Sequence, residues 1–260
     1  MGRNGRAHGQ TWANARLAVL VLVAAVLAGC TVMQGPGTGT AAKSAGTKSA
    51  ASEKAATSAA PASPVARVPG GGAKALFFGD SWTTGYGAMP VTRGYAYLTG
   101  QALGWDYKVD GLNGTGYLKP GSDKARTYLG RIRALATDSG MQVVVLQGGL
   151  NDESQSLRQL PGAASTAVDL LRAKYPQAAI VMLGPGGATL PADVNLRTVD
   201  SVLQLVAKRK GLAYVSPLSS AWITPDNYSS VIDVAAAHHP STSGHAYLAR
   251  RTAAALRALQ

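Results

Sequence analysis

A serine stands where an apolar run stops. Leu76-Phe77-Phe78 has strand character and ends abruptly at Gly79-Asp80-Ser81, and in an α/β protein the carboxyl ends of strands are where ligands bind. A serine hydroxyl attacks a carbonyl only with help. It needs a base within hydrogen-bond reach, usually an imidazole, and fixed donors for the oxyanion that forms. The chain offers such parts. Glycine-rich stretches at Asn113-Gly114-Thr115 and Gly149-Leu150-Asn151-Asp152 supply backbone N–H groups, and Asn151 adds a side-chain N–H. Of the histidines, His8 lies near the amino end. His238, His239 and His245 cluster in Ala237-His238-His239-Pro240-Ser241-Thr242-Ser243-Gly244-His245. Proline after His239 holds that residue extended just ahead of a helix start, a rigid mounting for an imidazole. The chemistry these residue types suit is ester cleavage through a serine acyl-enzyme.

Each part also has a plainer use. Asp80 and Ser81 suit a turn that satisfies its own backbone. Gly114 and Gly149 suit ordinary turns, and Asn151 and Asp152 suit a helix cap. His245 reads as a structural residue of the last helix, and His238 as a side chain at the loop edge. Trp82 and Tyr86 suit either a pocket wall or core packing. No carboxylate or cysteine is spaced with the three histidines as in a zinc motif, so no metal is expected. No phosphate loop or dinucleotide fingerprint follows the first strand, so no cofactor is expected either.

The elements that must position these residues alternate. Strands are predicted over 74–78, 106–110, 141–147, 178–183 and 212–215. The β-branched run Val143-Val144-Val145 has the continuous apolar character of a strand buried on both faces. Helices are predicted over 95–103, from a cap at Asp123 to about 136, over 163–174 after a break at Pro161-Gly162, over 192–209 and over 244–259. This order predicts a three-layer α/β/α domain with one parallel sheet of about five strands. All strand carboxyl ends then face one side, which is where the serine and both glycine-rich loops fall.

The amino end differs in kind. Arg3, Arg6 and Arg16 precede an apolar run from Leu17 to Ala28, shorter than the roughly 20 residues a spanning helix takes and typical of an export signal. Leu27-Ala28-Gly29-Cys30 resembles a bacterial lipobox, which implies lipidation of Cys30, the one cysteine of the chain. With a single cysteine no internal disulfide forms. Residues 30–72 are mostly Ala, Gly, Ser, Thr and Pro with a few Lys, a composition that reads as a disordered tether. The expected organisation is a signal over 1–29, lipidated Cys30 with its tether to 72, and a folded domain over 73–260. The expected location is the extracytoplasmic face of a cell membrane, lipid-anchored, with secretion as the alternative. The formal net charge is +12. Residues before 73 carry seven Lys or Arg against one Glu and the remainder eighteen against twelve, so each part contributes half. Such basicity suits anionic lipid or cell-wall polymer. Lys208-Arg209-Lys210 reads as a solvated helix end rather than a nucleic-acid patch. The domain is expected to be monomeric and to bind no nucleic acid.

Taken in order, Gly79-Asp80-Ser81, Gly114, Gly149-Leu150-Asn151-Asp152 and His239-Pro240 with Gly244-His245 resemble the blocks of the SGNH hydrolases, or GDSL-type esterases, with Trp82 where leucine is common. The resemblance implies a flavodoxin-like fold and ester hydrolysis. It implies Ser81 as nucleophile, His239 as general base, and an oxyanion hole of the Ser81 N–H, the Gly114 N–H and the Asn151 side chain. The family's last block usually reads Asp-x-x-His, but here Ala236 precedes His239 by three. The nearest acid is Asp233. Three readings follow: Asp233 orients the imidazole from a longer loop, a backbone carbonyl does so and leaves a Ser-His dyad, or turnover is impaired and the protein is a surface binding lipoprotein. Acyl transfer to another alcohol, rather than to water, is a further alternative. The expected substrate is a short acyl or O-acetyl ester, on cell-wall polysaccharide or on lipid.

Overall fold

Alternation along a strand sends successive side chains to opposite faces, and β1 (Lys74–Gly79) does this in a segment buried from Ala75 onward. Leu76 and Phe78 enter one core while Ala75 and Phe77 enter another. The computed structural model describes residues 67–121 and 126–260. The expected signal, Cys30 and most of the expected tether lie outside them. Around β1 the sheet runs β2-β1-β3-β4-β5, all parallel, with β2 at Asp106–Gly111, β3 at Val143–Gln147, β4 at Ala179–Leu183 and β5 at Ala213–Val215. β3 and β4 are buried at every position. β2 is an edge strand and is only half covered.

Helices cover both faces. α1 (Ser81–Thr84) is a single turn after β1, and α2 (Tyr95–Leu103) follows it. α3 (Tyr128–Ala134), α4 (Leu160–Lys174) and α5 (Val194–Arg209) bring Ile132, Leu171 and Leu203 against Leu76, Phe78, Val144 and Met182. On the other face α2 packs with the closing helix, giving Leu103, Leu248 and Leu256 against Phe77, Val143 and Val181. Complete burial of one such side chain contributes about 1.5–3 kcal/mol. The result is the expected three-layer α/β/α arrangement. Among the described residues, no helix is long and apolar enough to cross a membrane.

Several boundaries differ from expectation for local reasons. α3 begins at Tyr128 with Thr127 at its cap position; the expected cap, Asp123, lies outside the described residues. Pro161 does not break α4 but lies in its first turn, where the missing N–H has no intrahelical partner to lose. α5 starts after Asp193, whose carboxylate accepts the Asn195 N–H. The folded unit begins before Ala73, inside the expected tether: Val68 is buried and its N–H donates to Leu259 O at 3.0 Å.

The largest difference is a small unit ahead of the last helix. α6 (Tyr228–Val231) leads into β6 (Ile232–Asp233), which pairs antiparallel with β7 (His239–Pro240). α7 (Thr242–Arg257) then begins earlier than Gly244, capped by Ser241 accepting the Gly244 N–H. This hairpin carries the three-histidine segment to the carboxyl side of the sheet. Its position depends on Gly244, where a Cβ would overlap the Val231 carbonyl. Gly244→Ala therefore loses stability, by about 1–3 kcal/mol in urea unfolding, although alanine is ordinarily favoured by about 1 kcal/mol inside a helix.

Candidate active site

The backbone turns off β1 in contact with β3. A Cβ at Gly79 would overlap the Gln147 amide oxygen and the Thr83 hydroxyl, so only glycine lets the two strand ends meet there. Asp80 follows, fully buried, and its carboxyl accepts the Trp82 N–H at 2.9 Å and lies 3.2 Å from Gln147 Nε2. Gln147 Oε1 accepts the Thr83 hydroxyl (2.7 Å) and the Asp80 N–H (3.3 Å). Burial pushes the Asp80 carboxyl up to about 7, against the opposing effect of the Trp82 and Gln147 donors. Ser81 then starts α1, so its N–H has no helical acceptor.

The second and third loops are tied to the first by buried charge. Arg131 donates to Gly79 O (2.7 Å), Thr115 Oγ1 (2.8 Å) and Asp110 Oδ1 (2.6 Å). Asp152 accepts the N–H groups of Tyr117, Leu118 and Lys119 at 3.0, 2.9 and 3.2 Å. Burial raises its carboxyl while these donors pull it down. Asp152 is thus a brace between loops rather than a cap. Asn151 donates to Thr115 O at 2.9 Å and keeps a second amide hydrogen.

These loops and the hairpin meet at a cleft of about 460 Å³ whose walls include Ser81, Gly114, Asn151, His238 and His239. His239 Nε2 lies 2.8 Å from Ser81 Oγ. Its Nδ1 lies 2.8 Å from Ala236 O and 3.0 Å from Ala237 O. Carbonyl oxygens only accept, so Nδ1 carries the hydrogen and Nε2 presents a lone pair to the serine hydroxyl. Asp233 is not the group on this ring. Its Oδ1 accepts the Ala235 and Ala236 N–H groups at 2.9 and 3.3 Å, shaping the hairpin loop instead. Among the described residues, no acceptor takes the Ser81 or Gly114 N–H.

The remaining residues sort cleanly. His245 is fully buried, accepting the Tyr95 N–H at Nδ1 (3.1 Å) and donating from Nε2 to Tyr86 O (3.0 Å). Burial pushes it down to about 4. Trp82 packs in the core, whereas Tyr86 is 44% exposed and sets its ring 4.5 Å from that of His239. Sequence reasoning missed Gln147 and Arg131, and it offered a backbone carbonyl for His239 without tracing it to Ala236 or Ala237. Gln147 had one signal, a polar residue ending an otherwise apolar buried strand. No group of three or more His, Cys, Asp or Glu among the described residues is placed to hold a metal.

The model of the GDSL-like lipase/acylhydrolase family matches residues 77–247. The chain belongs to this family. It is an ester hydrolase of the SGNH type, and the matched span runs from β1 through the start of α7. No curated protein matches it. Solved structures do, at identities that speak for the fold. A protein from Lactobacillus plantarum is 17% identical, with a TM-score of 0.59 over 72% of this chain and 98% of its own. A family two carbohydrate esterase from Clostridium thermocellum, solved with cellohexaose, is 22% identical, with a TM-score of 0.57 over 73% of this chain and 65% of its own. A carbohydrate acetylesterase family member from Sinorhizobium meliloti is 16% identical, with a TM-score of 0.55 over 72% and 98%.

Two outcomes follow from the site's electrostatics. Asp233→Asn keeps the acceptor that shapes the hairpin, and kcat falls less than about tenfold, against the roughly 10⁴-fold loss when an orienting carboxylate is neutralised; steady-state ester hydrolysis reads this directly. The second concerns pH. His245 is neutral in the fold and takes up a proton on unfolding below 6.5, so its contribution is complete above 6.5 and is lost as pH falls toward about 4. Asp80 acts in reverse. It stays protonated in the fold up to about 7, so its contribution is complete below 3.8 and is lost as pH rises through 7. The stability deficit of Asp80→Asn relative to wild type therefore narrows as pH rises from 4 to 7 in thermal melts. A deficit independent of pH contradicts the assignment.

Proposed function

We propose that the chain is a serine esterase that removes short acyl groups, O-acetyl foremost, from a glycan at the extracytoplasmic face of a cell. The observation that supports this most is the 2.8 Å approach of His239 Nε2 to Ser81 Oγ, with the ring's other nitrogen held by two carbonyls. His239 Nε2 takes the Ser81 proton as Oγ bonds to the ester carbon, and the carbonyl π electrons move to oxygen. The Ser81 and Gly114 N–H groups and the free Asn151 amide hydrogen stabilise that oxyanion. Its collapse breaks the bond to the alcohol oxygen, which takes the proton back from the imidazolium. Water, deprotonated by the same nitrogen, then attacks the acyl-enzyme and frees the acid and Ser81.

A glycan substrate is supported by the polar side chains in the cleft's wall, among them Asn113, Glu153, Thr189 and His238. The similar structures named for carbohydrate esters point the same way. The surface location is supported by the export and lipobox pattern at residues 17–30.

The test is direct. The purified protein hydrolyses p-nitrophenyl acetate and is labelled stoichiometrically by a fluorophosphonate probe, and Ser81→Ala abolishes both. Asn151→Ala lowers kcat by roughly 10²–10³ with little change in KM, as loss of one oxyanion donor does. A wild-type protein that takes no label, or a Ser81→Ala variant that keeps its turnover, overturns the reading.

A further inference from the structure

Two consecutive histidines line the cleft, His238 and His239. Extended backbone sends neighbouring side chains to opposite faces, so this sharing has a cause. It lies in the backbone: Ala237 and His238 hold φ of 54° and 59°, the left-handed region that costs a non-glycine residue roughly 1–2 kcal/mol. Strain of this kind persists where the surroundings fix it, and it clusters at functional sites. His239 has its partners in Ser81 and the two carbonyls. His238 takes no part in that arrangement.

The hydrogen bonds of His238 define its state. The Tyr228 hydroxyl lies 2.7 Å from Ala188 O and 3.1 Å from His238 Nδ1. It has one hydrogen, and Ala188 O only accepts, so that hydrogen goes to the carbonyl. The tyrosine oxygen is then left to accept, and Nδ1 must donate to it. The neutral ring is therefore fixed with its hydrogen on Nδ1. Nε2 is an acceptor with no partner among the described residues, on a half-buried side chain of the cleft wall.

We infer that His238 is a specificity-determining residue whose Nε2 accepts a hydrogen bond from a free hydroxyl on the alcohol part of the ester. This rests on the esterase reading above. A short acyl group carries no donor, so the donor comes from the alcohol, and a polyol or sugar that keeps unacylated hydroxyls beside its ester supplies one. The Tyr228 bond fixes the tautomer that selects a donor and rejects an acceptor at that point. An ester whose alcohol carries no hydroxyl leaves Nε2 unpaired, and the loss of such a bond corresponds to a factor of about ten.

His238→Asn is the informative variant. Asparagine tolerates the left-handed conformation and its amide can still donate to Tyr228, but it lacks the Nε2 acceptor. Binding is measured by calorimetry in the Ser81→Ala background, with and without His238→Asn. The probes are a monoacetylated methyl glucoside and the same ester with its remaining hydroxyls methylated. The expected result is a Kd about tenfold weaker with His238→Asn for the first probe and no such difference for the second. Equal affinities for the first probe, or no binding of it at all, overturn the inference. Turnover of p-nitrophenyl acetate by the wild type reports on the esterase reading separately. A protein without that turnover whose sugar binding still depends on His238 keeps the hydroxyl contact at Nε2 but removes the esterase reading, and with it the residue's role in ester selection.

Discussion

An imidazole next to a serine is a base only if its hydrogen is kept on the far nitrogen. Here two peptide carbonyls, those of Ala236 and Ala237, hold it there. A carbonyl orients the ring as a carboxylate does, but it brings a dipole in place of a full charge and gives less stabilisation to the imidazolium. It also asks more of the backbone. A side-chain acid can adjust its rotamer, whereas a carbonyl points where the chain points. The hairpin must therefore be rigid. Its two-residue strands, the Asp233 loop contacts, the Ser241 N–H on Val231 O and the left-handed pair at 237 and 238 all serve that end.

The serine side of the pair is fixed from below by polar groups that water does not reach. Asp80, Thr83, Gln147 and Tyr95 form one connected set under α1, and Arg131 closes the neighbouring gap against Gly79 and Thr115. Buried polar sets are costly when incomplete and specific when complete. This one holds the ends of β1 and β3 and the loop after β2 in a single frame, from which the Ser81 and Gly114 N–H groups emerge with no acceptor among the described residues.

The fold was legible because its signals are long: the buried run through β3, the apolar run of β4 and the helical spacing of α5. Ser81, Gly114, Asn151 and His239 were singled out by residue type and order, and the structure brings them to one cleft. What stayed hidden has a physical reason in each case. Two-residue strands such as β6 and β7 have no periodicity to detect. Carbonyl acceptors leave no mark in a sequence, since every residue carries one, so a carbonyl stood beside Asp233 as a reading for His239 but could not be traced to Ala236 and Ala237. Pro161 reads as a breaker unless the helix is known to start one residue before it. Arg131 sits among Tyr128, Leu129 and Ile132 on a helix face and looks like any surface cation until its partners are seen.

The segment before β1 joins the domain in a defined place. Val68 pairs with Leu259, Gly70 accepts the Trp105 indole N–H, and Gly72 pairs with Gly104. All of these lie at the amino ends of β1 and β2, while Ser81 lies past the carboxyl end of β1. The leading segment thus closes the far end of the sheet: residues 68–72 tie down its amino end, and none of them lines the cleft.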